Sequence, residues 1–179
     1  PGRPGEQLTG AGTERPAVLY ETALKRIRQL SAHEVGHTLG LGHNYYDSSK
    51  GRTSVMDYPH PLTEIRPDGT LDLSNAYTAE IGEWDKVAIN FGYRQVEKSA
   101  DESAVLTTIL DQAWSQDIRY FTNQDMNIHP RVEQWSNGVD QADELLRLMR
   151  IRRLALDRMG ERTIRTGAPM ATIEEPLVP

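Results

Sequence analysis

Three of the chain's five histidines, His33, His37 and His43, fall within eleven residues in the stretch SAHEVGHTLGLGHN (31–44). His33 and His37 are four apart, so a helix stacks them on one face with Cβ atoms about 5–6 Å apart. Leu19, Ala23, Ile27, Leu30, Glu34 and His37 recur at helical spacing, which predicts helix from about Ala17 to about Leu39. Gly40 and Gly42 then end it, because glycine enters backbone conformations that other residues resist. A continuing helix would place residue 43 badly. A break at Gly40 lets His43 swing back, so that three imidazoles converge on one point.

Such convergence asks for a metal ion. Imidazole nitrogens reach zinc at about 2.0–2.1 Å, and three protein ligands leave one corner of a tetrahedron open. Glu34 follows the first ligand directly and is offset by about 100° around the helix, so it sits beside the ion and not on it. This is the general-base position of H-E-x-x-H on a helix, from which a carboxylate reaches water at the open corner.

The remaining sequence divides around this segment. Residues 1–16 are dense in Gly and Pro and read as a flexible linker, residues 17–165 as the core, and residues 166–179 as a tail. The opening PGRPGEQL has neither an initiator Met nor a basic-then-apolar leader, and reads as a start within a larger gene product. Residues 44–75 are rich in Asn, Asp, Ser, Gly and Pro, and read as a long ordered loop of the kind that is usually functional. Helices are expected over 76–93, with Thr78 near its cap and Ile81, Trp84, Val87, Ala88 and Phe91 inward, and over 100–121 and 141–165. Residues 126–140 read as loop, and strand signals are scarce throughout.

Composition narrows the function classes. The net charge of −6 gives no electrostatic case for nucleic acid as a partner. Without a cysteine there are no disulfides, thiolate ligands or cysteine nucleophile. No apolar run is long enough to span a bilayer.

HEVGHTLGLGH fits H-E-x-x-H-x-x-G-x-x-H, and SVMDY (54–58) follows with Met56 thirteen residues after His43. In these motifs the chain resembles the metzincin zinc peptidases, and SAHEVGHTLGLGHN, SVMDY and EWDKVAINFGY together look like a group of large bacterial metzincin-like proteases. The resemblance covers residues 28–95 well and 115–160 faintly. It implies a metzincin-like catalytic core with an active-site helix, a Met-turn loop and C-terminal helices. Metzincins also carry a mixed β-sheet upstream, but the 32 residues before His33 hold no convincing strand, so the fold reads as mainly α with that sheet absent or truncated. Met56 would form the apolar floor beneath the histidines, and Tyr58, two residues on, would be a further zinc ligand or an oxyanion donor. The resemblance further implies a zinc endopeptidase acting on peptide or protein substrates in the periplasm or outside the cell, with the upstream part of its own precursor as another candidate partner. Asn44, after the third histidine, differs from the Ser, Asp, Glu or Pro found there in matrixins, adamalysins, astacins and serralysins.

Other features have plainer readings. His60 and His129 read as loop residues and not ligands, and the carboxylates around 120–143 do not have calcium-loop spacing. Seven arginines between Arg147 and Arg165, interleaved with Leu145, Leu148, Met149, Ala155, Leu156 and Met159, read as the wet side of an amphipathic helix. The alternative to an enzyme is a zinc-stabilised scaffold or binding module that cleaves nothing. Glu34 argues against it, since a structural site needs no base.

Overall fold

The computed structural model describes residues 16–134, 137–164 and 166–174, so the linker, apart from Pro16, lies outside the described residues. Four α-helices account for most of the regular structure: α1 (Pro16–Thr38), α2 (Glu83–Tyr93), α3 (Glu102–Ser115) and α4 (Gln141–Asp157). Short 3₁₀ turns lie at Asn123–Asp125, Glu161–Thr163 and Met170–Ile173. The fold is mainly helical, as expected.

The only sheet among the described residues is a two-stranded antiparallel ladder, β1 (Glu64–Ile65) with β2 (Leu71–Asp72). It falls within the segment read as loop. Asp68 makes the local turn, accepting from Thr70 N–H at 2.8 Å and from the Thr70 hydroxyl at 2.7 Å, and Gly69 takes φ +78°. Two-residue strands carry no alternation to read.

Helix α1 ends as its glycine predicts. Leu41 N–H donates to Gly36 O and Gly40 N–H to His37 O, both at 3.0 Å, with Gly40 at φ +82°. This paired closure around a left-handed residue is the Schellman arrangement. The buried side of α1 differs from the expected stripe: Gln29, His33 and Gly36 face inward, whereas Leu19, Ala23, Ile27, Leu30, Glu34 and His37 remain exposed.

Helix α2 starts later than its sequence pattern suggests. Thr78 does not cap it. The cap is Gly82, whose N–H donates to the Asp85 carboxylate at 2.6 Å. Trp84 is buried and Val87 and Ala88 pack on the core, but Ile81 and Phe91 stay exposed. Helix α3 is capped by Asp101, which accepts from Ala104 N–H at 3.3 Å, and packs against α2.

Helix α4 is shorter than expected; Arg150, Arg152, Arg153 and Arg158 are exposed as expected, but its apolar residues are only partly covered. Leu145, Met149 and Leu156 are exposed, while Glu144 is buried and Leu148, Ile151 and Leu154 are half-buried. The reason is polar: Arg147 pairs with Glu144 at 2.6 Å and donates to Thr63 O at 2.6 Å, anchoring that side of the helix to the 60s loop.

Two apolar clusters meet at residues 54–58. Val55 and Met56 belong to the first, with Trp84, Ala113 and Ile118; Ala32 and Leu41 pack against it. Tyr45, Tyr46 and Val132 form the second, with Tyr58, Phe121 and Met126 against it.

Asn44 and Asp117 join distant segments. Asn44 is buried; its side-chain N–H donates to Arg119 O at 2.9 Å and its oxygen accepts from Phe121 N–H at 3.1 Å. Asp117, at φ +61°, accepts from the Tyr46 hydroxyl, both Ser49 donors and Arg131 at 2.6–2.9 Å.

Candidate metal centre

His33, His37 and His43 come together, one ligand atom from each lying within 4.8 Å of the others. Ring centroids are 4.6 Å apart for His33–His37, 5.3 Å for His33–His43 and 4.9 Å for His37–His43. The helix supplies the pair, and the turn at Gly40 returns the third ring.

The second nitrogens of two rings are tied to carbonyls. His33 Nδ1 lies 2.7 Å from Val55 O and His37 Nδ1 lies 2.9 Å from Leu41 O. A carbonyl can only accept, so each Nδ1 carries a proton, and in the neutral ring the lone pair is left on Nε2. The turn that ends α1 therefore also orients its own histidine. His43 is engaged by the Asn123 side chain.

The donor set fits a metal. His33 Nε2 and His43 Nε2 are buried with no hydrogen-bond partner, and an unsatisfied buried nitrogen costs about 1–3 kcal/mol. A bound divalent cation would satisfy both. Burial, opposed by Asn123 and reinforced by His33 and His37, lowers the His43 pKa. That shift favours the neutral ring, the form that binds metal.

Glu34 lies exposed beside His33, near enough for its charge to act on His43. Met56 is fully buried. Its sulfur lies against Gly36 on the helix between His33 and His37, only 2.3 Å from where a Cβ on Gly36 would stand. The Tyr58 ring packs 4.7 Å from His33 and 4.8 Å from His43. His60 and His129 are not in the trio; the His129 ring packs on Phe121 at 4.9 Å and Tyr46 at 5.8 Å.

Three neighbours escaped the sequence reading. Tyr45, almost fully buried, stacks 5.4 Å from His43, and burial, with Tyr58 and Asp57 nearby, pushes its hydroxyl up to about 12. Asn123 interacts with both His43 and Tyr45. Asp85, 3% exposed, accepts three hydrogen bonds, two from the 54–56 turn and one from Gly82 N–H; burial raises its pKa and those bonds oppose the rise. Tyr45 had a signal, its place two residues past the third ligand. Asn123 and Asp85 had none, because only the fold brings them near.

A helix-borne histidine pair, a third histidine past a glycine turn and a buried methionine against the helix make up a group that could hold a metal ion on a helical scaffold. The chain matches the family described as Met-zincin over residues 16–179, and it belongs to that family, with the metalloprotease-type character that membership carries. No curated protein and no solved structure matches it. Among the described residues no helix is long and apolar enough to cross a membrane.

Proposed function

We propose that the protein is a zinc-dependent endopeptidase in which His33, His37 and His43 hold the metal, Glu34 is general base and acid, and Met56 is the floor of the site. The observation that carries this reading is the pair of buried, unpartnered Nε2 atoms on His33 and His43, aimed into one space with a third histidine. Zinc, when bound, acts as a Lewis acid that polarises a carbonyl and lowers the pKa of water toward roughly 7.

The chain's own residues supply the rest. Val55 O and Leu41 O hold two rings in the tautomer that presents Nε2, an orienting role that tunes ligand strength. The Glu34 carboxylate takes a proton from the attacking water and returns it to the departing amine, as a base outside the ligand set can. Tyr58 stands beside two ligand rings, where its hydroxyl serves as a fifth ligand or as a donor to the developing oxyanion. The substrate is a peptide or protein, met in the periplasm or outside the cell.

The test separates base from ligands. Glu34→Gln abolishes cleavage of a peptide library, by at least about 100-fold, while zinc still binds with near wild-type affinity by chelator competition. Undiminished proteolysis in this variant refutes the assignment. Stoichiometric zinc binding by the wild-type chain with no new peptide termini, with or without chelator, identifies a zinc-stabilised scaffold instead.

A further inference from the structure

The carbonyl that orients His33 is itself held from its far side. Val55 O accepts from His33 Nδ1–H at 2.7 Å, while the N–H of the same residue donates to Asp85 Oδ2 at 2.9 Å. The Ser54 hydroxyl donates to Asp85 Oδ1 at 2.7 Å, and the Ser54 oxygen accepts from Met56 N–H at 2.9 Å. Gly82 N–H is the third donor onto the carboxylate, at 2.6 Å. Asp85 makes no salt bridge among the described residues, and three donated bonds are what make a buried carboxylate tolerable.

Capping α2 accounts for one of those bonds. The other two reach thirty residues back, to the turn whose carbonyl meets the first histidine. The backbone leaves this turn no slack: a Cβ on Gly82 would stand 1.9 Å from Thr53 O, and Trp84 N–H donates to Thr53 O at 2.8 Å. The geometry points to Asp85 as a positioning residue for His33: its carboxylate fixes residues 54–56 so that Val55 O holds Nδ1–H and Nε2 faces the metal. Asp85 touches neither metal nor substrate. It acts through two peptide units, and hydrogen bonds in such a chain strengthen one another. The metal-binding part of this inference rests on the proposed zinc site; the orientation of the His33 ring does not.

Two measurements on the full chain test it: the ¹⁵N shifts of His33 in metal-free protein, and affinity for Zn²⁺ and Co²⁺ alone by competition with a chromophoric chelator. Asp85→Asn keeps the side chain's size and one oxygen for the Val55 and Gly82 N–H groups, but the neutral amide accepts more weakly than a carboxylate and its NH₂ turns the Ser54 hydroxyl from donor to acceptor, so the turn loosens. We expect the His33 ring to lose its uniform Nδ1–H tautomer and metal affinity to fall about 10–100-fold, the range for losing an outer partner of a ligand histidine. The Co²⁺ absorption bands should shift as well. Ser54→Ala, which removes one of the three bonds, produces a smaller change of the same kind and serves if Asp85→Asn does not fold. Asp101→Ala uncaps α3, away from the turn, and lowers Tm without moving either readout. A folded Asp85→Asn or Ser54→Ala protein with wild-type His33 shifts and wild-type metal affinity overturns the proposal. If the wild-type chain binds neither metal, the zinc reading fails on its own, and the His33 shifts still decide the role of Asp85.

Discussion

Gly36 shows how a single residue can be misjudged by propensity. Replacing a helical glycine by alanine ordinarily gains about 1 kcal/mol. Here the new methyl would meet the Met56 sulfur at 2.3 Å, and Met56 has no exposed surface into which to retreat. Overpacking of this kind costs about 1–3 kcal/mol, so the cost wins. Gly36→Ala is expected to lower Tm in a thermal melt, and Met56→Ala should partly relieve it in the double variant, as a coupling between touching residues requires. Additive effects of the two substitutions would show that the contact is not what constrains position 36. The motif regards this position as free. Only the turn folding under the helix makes glycine necessary there.

At the scale of the element, the end of α1 does two things at once. The Gly40 turn closes the helix, and its Leu41 carbonyl orients His37. A non-glycine residue at φ +82° is strained by roughly 1–2 kcal/mol, although nothing blocks a Cβ in space. Gly40→Ala should therefore lower Tm by a few degrees. It should also weaken zinc binding, measured by chelator competition, because relaxing the turn moves both Leu41 O and His43. A variant with lower Tm and unchanged zinc affinity would separate the turn from the site. Helix α4 teaches the opposite lesson. Its arginines promised a solvated side, yet Arg147 is the residue that pins the helix, through Glu144 and Thr63 O. Binary patterning assumes that charge points outward. A paired charge with a carbonyl to donate to can point inward and leave Leu145 and Met149 in water.

Across the whole molecule, two carboxylates with opposite surroundings, Asp47 and Asp117, shape the dependence of stability on pH. Burial, first, pushes the Asp47 carboxyl up to about 7, with Glu133 adding to the effect and the Gln141 side chain opposing it at 2.8 Å. The folded state then holds this proton more tightly than the unfolded chain, whose carboxyl sits near 3.8. Asp47 therefore costs stability progressively as pH rises from about 4 to about 7. Asp117 works in the other direction. Its bond to Arg131, chiefly, holds its carboxyl well below the usual carboxylate range, so its contribution is present above about pH 4 and lost on acidification. Asp47→Asn keeps an acceptor for Gln141 and removes the titration. Its Tm advantage over wild type should widen from pH 5 to pH 8 by at least about 1 kcal/mol, roughly 2–4 °C for a chain of this size. A difference that stays constant over that range would mean that Asp47 does not titrate as its burial requires.

The sequence by itself determined what depends on near neighbours: helix α1 and its end at Gly40, the meeting of His33, His37 and His43, Glu34 next to the first of them, and Met56 a short loop away. Spacing along a helix and one left-handed turn are local geometry, so residue types and intervals suffice to specify them. Only the tertiary structure decided which side of α1 and α4 is buried, where α2 begins, and that Asp85, Asn123 and Asn44 stand behind the site. Those outcomes depend on which distant backbone donor or carbonyl each side chain meets. A carboxylate thirty residues from the turn it holds carries no mark of that in its own segment. The hydrogen bonds that orient a ligand ring are fixed by packing, after the ligands have been fixed by spacing.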